Sequence, residues 1–184
     1  MIDKIIFGYS TNNHLILDLD NTTLEKSIGL SKLLINEFDL RDCLILKSSG
    51  CIKTHELMFG DDESYMPYQT DGNYHLVFGK KTWYEHICYI IEMLADLGIV
   101  QKEYVRIREW RGDLTLRINA DNSKDKYRPP PKLLFYVTNS KNTNSFSEGI
   151  NDYLHFYTLF NGMYNVMFMK IICIKKKSNQ TNSH

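Results

Sequence analysis

The run His14-Leu15-Ile16-Leu17-Asp18-Leu19-Asp20 drives consecutive apolar residues into two carboxylates one residue apart. A strand alternates its side chains across the sheet, so Asp18 and Asp20 emerge on the same face. Two carboxylates there repel each other unless a cation sits between them. Hard oxygen ligands of this kind suit Mg²⁺ or Mn²⁺. The same residues also read as a strand end turning into a helix cap, where Asp and Asn are common. The rest of the chain decides between the two.

The pattern around this run places it among alternating elements. Ile5 to Tyr9 and Leu15 to Asp20 read as strands. Thr22-Thr23-Leu24-Glu25 has the capping-box pattern, and Leu24, Ile28, Leu34 and Phe38 give the following helix an apolar face. Cys43 to Leu46 is the next strand. The stretch 51–71 has no long period and reads as an inserted loop or hairpin. Tyr74 to Phe78 resumes as a strand. Thr82 is placed to cap a helix carrying Trp83, Ile87, Ile90, Ile91, Leu94 and Leu97, which ends at Gly98. Tyr104 to Trp110 and Leu114 to Ile118 read as strands joined by a turn at Arg111-Gly112-Asp113. Asp121 to Pro131 reads as a loop, Leu133 to Val137 as a strand, and Asn139 to Asn151 as an Asn/Ser/Thr-rich mobile stretch.

This order is that of an α+β domain with an RRM-like split β-α-β antiparallel sheet. Two helices cover one face, with additional strands and an inserted loop, and the other face stays free for a site. The expected division is a domain over 1–137, with its insertion at 51–71, and a C-terminal appendage over 138–184 ending in the polar tail from Lys175 to His184. In a split arrangement the first and third strands lie side by side. His75, in Gly72-Asn73-Tyr74-His75, is thereby expected beside Asp18 and Asp20.

Lys+Arg and Asp+Glu both number 22, so net charge argues for neither a nucleic-acid nor a membrane partner and leaves room only for a local basic groove. Tyr153 to Ile174 is apolar enough to test as a membrane span, but His155, Asn161, Asn165 and Lys170 oppose that reading. No signal peptide is expected from Met1-Ile2-Asp3-Lys4. Cys43, Cys51, Cys88 and Cys173 have no Cys-x-x-Cys spacing and read as buried, reduced thiols of a cytoplasmic protein.

The strand ending in Asp18-x-Asp20, the helix and strand after it, and a small polar residue two before His75 resemble the catalytic core of archaeo-eukaryotic primases and primase-polymerases. Lys47-Ser48-Ser49-Gly50 followed by Gly72-Asn73-Tyr74-His75 looks like that family's hairpin before its histidine, opened by the inserted segment. Arg111-Gly112-Asp113-Leu114-Thr115-Leu116-Arg117-Ile118 resembles the basic strand pair of some relatives. The resemblance covers residues 14–137.

It implies a DNA-replication or repair enzyme that transfers nucleotides from nucleoside triphosphates on a single-stranded nucleic-acid template, with a helicase or other replication partner. Asp18 and Asp20 would hold Mg²⁺ or Mn²⁺, and His75 would contact nucleotide phosphate. Asn73 stands where the family often has Ser. The third motif is acidic; Gln101 occupies the most natural position, and Glu103 or Glu109 would have to supply the carboxylate, Glu103 being the choice. Independently of the family, phosphoryl transfer needs charge neutralisation and in-line positioning. Lys47, Ser48, Arg111 and Arg117 are candidates for the triphosphate. Arg106 and Arg108, two apart on the expected strand, are candidates for the template, against the alternative of a solvated strand face.

Two other readings stand beside this one. Asp18-Leu19-Asp20-Asn21-Thr22 also resembles the nucleophile motif of haloacid-dehalogenase phosphatases, in which Asp18 would attack phosphate and Asp20 act as acid and base. That fold is a doubly wound parallel sheet, which this element order does not supply. A sheet of this kind also serves as a non-catalytic binder of single strands through aromatic stacking. The cluster Cys51, His55, Glu56, Asp61, Asp62 and Glu63 reads as a solvated acidic loop rather than a zinc site.

Overall fold

Leu15, Ile16, Leu17 and Leu19 are all buried, so the run that opens into Asp18 and Asp20 is a strand covered on both faces until its last residues. In the computed structural model, residues 8–48, 52–53, 72–118, 126–127, 129–139, 145–162, 166 and 169–174 are described. Their strands are β1 (Gly8–Thr11), β2 (Ile16–Thr22), β3 (Asp42–Ser48), β4 (Ile52–Lys53), β5 (Gly72–Phe78), β6 (Leu114–Arg117), β7 (Lys126–Tyr127), β8 (Lys132–Thr138) and β9 (Lys170–Cys173). Their helices are α1 (Leu24–Glu37), α2 (Tyr84–Asp96), α3 (Lys102–Arg111) and α4 (Glu148–Asn161).

The central sheet has five strands in the order β2-β5-β3-β8-β9. Its pairings are antiparallel except β8 with β9, which is parallel. The fold is therefore α+β, and the first and third strands of the expected unit, β2 and β5, are neighbours. Two small sheets, β1-β6 and β4-β7, flank it.

Both helices expected from the sequence form. α1 starts one residue later than the capping-box pattern implies: Thr23, not Thr22, is the cap, and its hydroxyl accepts from the Lys26 amide at 3.2 Å. α2 buries Ile87, Ile90, Ile91 and Leu94, the spacing of one helical stripe. Each such side chain contributes about 1.5–3 kcal/mol on leaving water. The two helices touch at the end of α1, where the Phe38 ring lies 5.8 Å from His86 and 6.4 Å from Tyr89. Trp83, expected on the apolar stripe, is instead exposed at the start of α2.

Tyr104 to Trp110 is a correction: the segment is helix α3, not a strand. Arg108 anchors it to α2, donating to the Cys88 carbonyl at 3.1 Å and to Glu92 at 3.0 Å. Gly112, at φ +74°, ends it in the left-handed cap that glycine accepts without strain. The aromatic and β-branched residues Tyr104 and Val105 suggest a strand by propensity, and the tertiary anchor overrides it.

The face expected to stay free is largely covered. By register, Asp42, Leu44, Leu46, His75 and Tyr136 share it. The Asp42 carboxylate is fully buried there and accepts from the Tyr136 hydroxyl at 2.7 Å and from the Ser147 hydroxyl and amide at 2.5 and 3.2 Å. Those donors compensate for a carboxylate that would otherwise be costly to bury. They also tie the start of α4 to the sheet. Gly79 sits at the same junction, where a Cβ would overlap Ser147 and Asp42.

From there α4 sends Ile150, Tyr153, Leu154 and Tyr157 into the core that contains β2 and β5. The expected boundary after residue 137 does not divide this packing, since α4 belongs to the core and β9 to the central sheet. α4 begins at Glu148, inside the stretch read as mobile. Among the described residues no helix is long and apolar enough to cross a membrane. Cys43 is buried as expected, but Cys88 is half-buried and Cys173 exposed. Cys51, His55, Glu56, Asp61, Asp62, Glu63 and the polar tail lie outside the described residues, as does the 51–71 insertion apart from Ile52 and Lys53.

Candidate active site

Antiparallel pairing of β2 with β5 sets Asp18 directly opposite His75. Directly paired residues project to the same face, so the two side chains meet: His75 Nε2 lies 3.5 Å from Asp18 Oδ1. Their environments differ. The His75 side chain is 2% exposed and that of Asp18 42%. Burial, reinforced by the charge of Arg117 and opposed by Asp20, pushes the His75 pKa down to about 3. The imidazole is therefore neutral, and the contact is not an ion pair. His75 Nδ1 is buried with no hydrogen-bond partner among the described residues.

Asp20 lies two residues on, past the last regular pair of the ladder, Leu19 with Tyr74. The register of β2 against β5 shifts between Leu19 and Thr22, and Asn21 there has φ +51°. This is a bulge, which bends the strand and re-aims its side chains. Asn73 pins it, its side-chain oxygen accepting from the Asn21 amide at 3.2 Å. Asp20 is met from the other side by Gln101, whose amide donates to Oδ2 at 2.8 Å. Tyr104, three residues beyond Gln101, donates from its hydroxyl to the Ile16 carbonyl at 2.9 Å. Burial first, then the nearby charge of Asp18, raises the Tyr104 pKa well above the ordinary value, so it stays protonated.

His75 thus meets Asp18, Asn73 shares their face by register, and the charges of Asp20 and Arg117 act on His75. Arg117 arrives from β6, with a guanidinium nitrogen donating to the Pro129 carbonyl at 2.8 Å. Ser48 is buried and pairs with Asn73 on the His75 face.

Other expected site residues lie elsewhere. Lys47 pairs with Tyr74 and so leaves the opposite face of the sheet; its ammonium donates to the Tyr74 hydroxyl at 3.1 Å and is buried. Arg108 is buried between helices, which corrects its assignment to a template-binding strand face. Arg106, on the same helix, is exposed. Arg111 is exposed at the end of α3, 6.0 Å from the Trp110 ring centroid. Glu103 is exposed in the first turn of α3, and Glu109 lies 3.7 Å from Arg108.

Among the described residues, no three or more His, Cys, Asp or Glu side chains come together so as to hold a metal ion. Neither Glu103 nor Glu109 therefore completes a carboxylate set with Asp18 and Asp20. What remains is a pair of carboxylates. That pair fits Mg²⁺ or Mn²⁺ arriving with a triphosphate, because such ions commonly take one or two protein carboxylates and draw their other ligands from phosphate and water. It does not form a closed protein cage.

Sequence reasoning missed Tyr104 and Asn21. The helical phase that brings the Tyr104 hydroxyl to the Ile16 carbonyl is signalled by Arg108 and Arg111 just before Gly112. The left-handed Asn21 follows two strand carboxylates and precedes a helix, a place where Asn is tolerated.

No family model, curated protein or solved structure matches this chain.

Proposed function

We propose that this chain is a primase-polymerase-like nucleotidyltransferase of DNA replication or repair. It binds a nucleoside triphosphate with Mg²⁺ or Mn²⁺ at Asp18 and Asp20 and acts on a single-stranded template. The observation that carries this reading is the meeting of Asp18 with His75, from segments far apart in sequence, at the strand end that carries Asp20 two residues on.

The roles follow from chemistry. Asp18 and Asp20 hold the divalent ion, which when bound neutralises charge on the triphosphate. His75, 2% exposed, has no surface for the phosphate contact the resemblance implies; buried and neutral, it stands behind Asp18 and positions its carboxylate. Arg117, whose charge acts on His75, suits an anionic phosphate. Arg106 and Arg111, both exposed on α3, are the cations left for the template backbone. In the reaction, a hydroxyl oxygen of the growing strand bonds to the α-phosphorus and pyrophosphate leaves.

A second reading, nucleotide binding without transfer, is favoured by one observation. The side chain that reaches Asp20 is the amide of Gln101 rather than a carboxylate. The phosphatase reading has less support, because β2 has an antiparallel neighbour, whereas that fold needs parallel strands.

Product analysis separates the three. Transfer predicts pyrophosphate release that requires template and is lost in Asp18→Asn. Binding alone predicts nucleotide affinity with no pyrophosphate. Phosphate release from small phosphomonoesters without template, lost in Asp18→Asn, would establish the phosphatase reading instead.

A further inference from the structure

Beside the carboxylate pair lies a cleft of about 350 Å³, between the end of β2, the first turns of α1 and the link from α2 to α3. Its size falls at the lower end of small-molecule sites, roughly 300–1,000 Å³. Leu19, Leu30 and Ile99 supply apolar wall, while Asp20, Asn21 and Lys26 bring a carboxylate, an amide and an ammonium. Asp20 belongs to both places. It stands two residues beyond Asp18 in β2 and, at the bulge, lines this cleft. Its bond to Gln101 fixes it at the boundary.

We propose that this cleft receives the base and sugar of the nucleoside triphosphate whose phosphates lie at Asp18 and Asp20. The inference rests on the proposed function and adds where the nucleoside goes. A flat, weakly polar base is matched by the aliphatic walls. The Asn21 amide side chain, exposed at the rim, is suited to sugar hydroxyls. Lys26, exposed on the first turn of α1, supplies the positive charge that a phosphorylated ligand needs at the cleft mouth. A ligand without a nucleoside has no use for the apolar part of this site.

Calorimetry with Mn²⁺ tests the division of labour, comparing the ribo- and deoxyribonucleoside triphosphates with inorganic tripolyphosphate. Ile99 is partly exposed in a link between helices, so Ile99→Trp fills the cleft without burying new bulk in the core. Ile99→Glu is a second variant that spoils the apolar wall by charge. Both should weaken nucleoside triphosphate binding about tenfold or more, the equivalent of ~1.4 kcal/mol, and leave tripolyphosphate affinity within about twofold. Equal nucleotide affinity in wild type and both folded variants overturns the cleft assignment alone. Parallel loss of nucleotide and tripolyphosphate also overturns it. Wild-type protein that binds neither ligand overturns the proposed function, and the cleft assignment with it.

Discussion

The Gln101 side-chain amide donates a hydrogen bond to Asp20 Oδ2 at 2.8 Å, joining the link before α3 to the end of β2. An amide here satisfies one carboxylate oxygen and adds no charge. A carboxylate in its place would repel Asp20 in the absence of metal and attract a cation in its presence. Gln101→Glu is therefore expected to lower the melting temperature without metal and to raise Mn²⁺ affinity about tenfold, ~1.4 kcal/mol. Calorimetric titration with Mn²⁺ and thermal melts with and without it provide the check. Unchanged Mn²⁺ affinity would show that position 101 does not face a metal.

Arg108 is a structural cation. Its guanidinium bonds Cys88 and Glu92 across the α2-α3 interface and is buried. Arg108→Met should cost about 2 kcal/mol, the scale of a hydrogen bond made by a charged group. Arg106→Gln, on the exposed side of the same helix, should change stability by less than about 0.5 kcal/mol. Urea unfolding of the two variants distinguishes them. Equal effects would contradict the helical phase of α3.

The β2, β5 and α2 segments were legible because their patterns are strong: apolar runs in the strands and the Ile87, Ile90, Ile91, Leu94 stripe in the helix. The meeting of Asp18 with His75 was legible from topology, since a split arrangement brings its first and third strands together. Register parity decided what was not. Lys47 and His75 lie in adjacent strands, yet Lys47 pairs with Tyr74, so one residue of offset sends it to the other face. α3 departs from the strand pattern because Tyr104 and Val105 are strand formers and Gly112 serves equally in a hairpin turn and in a helix cap. α4 straddles the Asn/Ser/Thr-rich stretch that ends at Asn151 and the apolar run that starts at Tyr153, so neither pattern marks it. Gly162, at φ +69°, caps the helix within that run, and Lys170–Cys173 then forms a strand.

His14 links stability to pH. It is buried, bonded to the Tyr9 hydroxyl at 3.0 Å, and near Thr11 and Asn13. Burial, with a smaller push from Lys81 against the pull of Asp152, lowers its pKa from 6.5 to about 4. Between those values the unfolded chain binds a proton that the folded chain does not. Stability from this group is complete above pH 6.5 and is lost as pH falls toward 4, by up to about 1.4 kcal/mol per pH unit. His14→Gln should make the fall in stability over this window shallower, with the remainder due to buried His75, read from urea midpoints between pH 4 and 7. An unaltered slope would place the acid sensitivity elsewhere.

The central claim is that Asp18 and Asp20 bind a divalent ion together with a nucleoside triphosphate. Calorimetry with Mn²⁺ and nucleoside triphosphate, on wild type and on Asp18→Asn and Asp20→Asn, tests it most directly. The account predicts weak binding of Mn²⁺ alone and strong joint binding with nucleotide in wild type. Either substitution should reduce that joint binding at least about tenfold, ~1.4 kcal/mol, while leaving the fold intact, because removing one of two like charges relieves repulsion. Equal joint affinity in wild type and both folded variants would contradict the account.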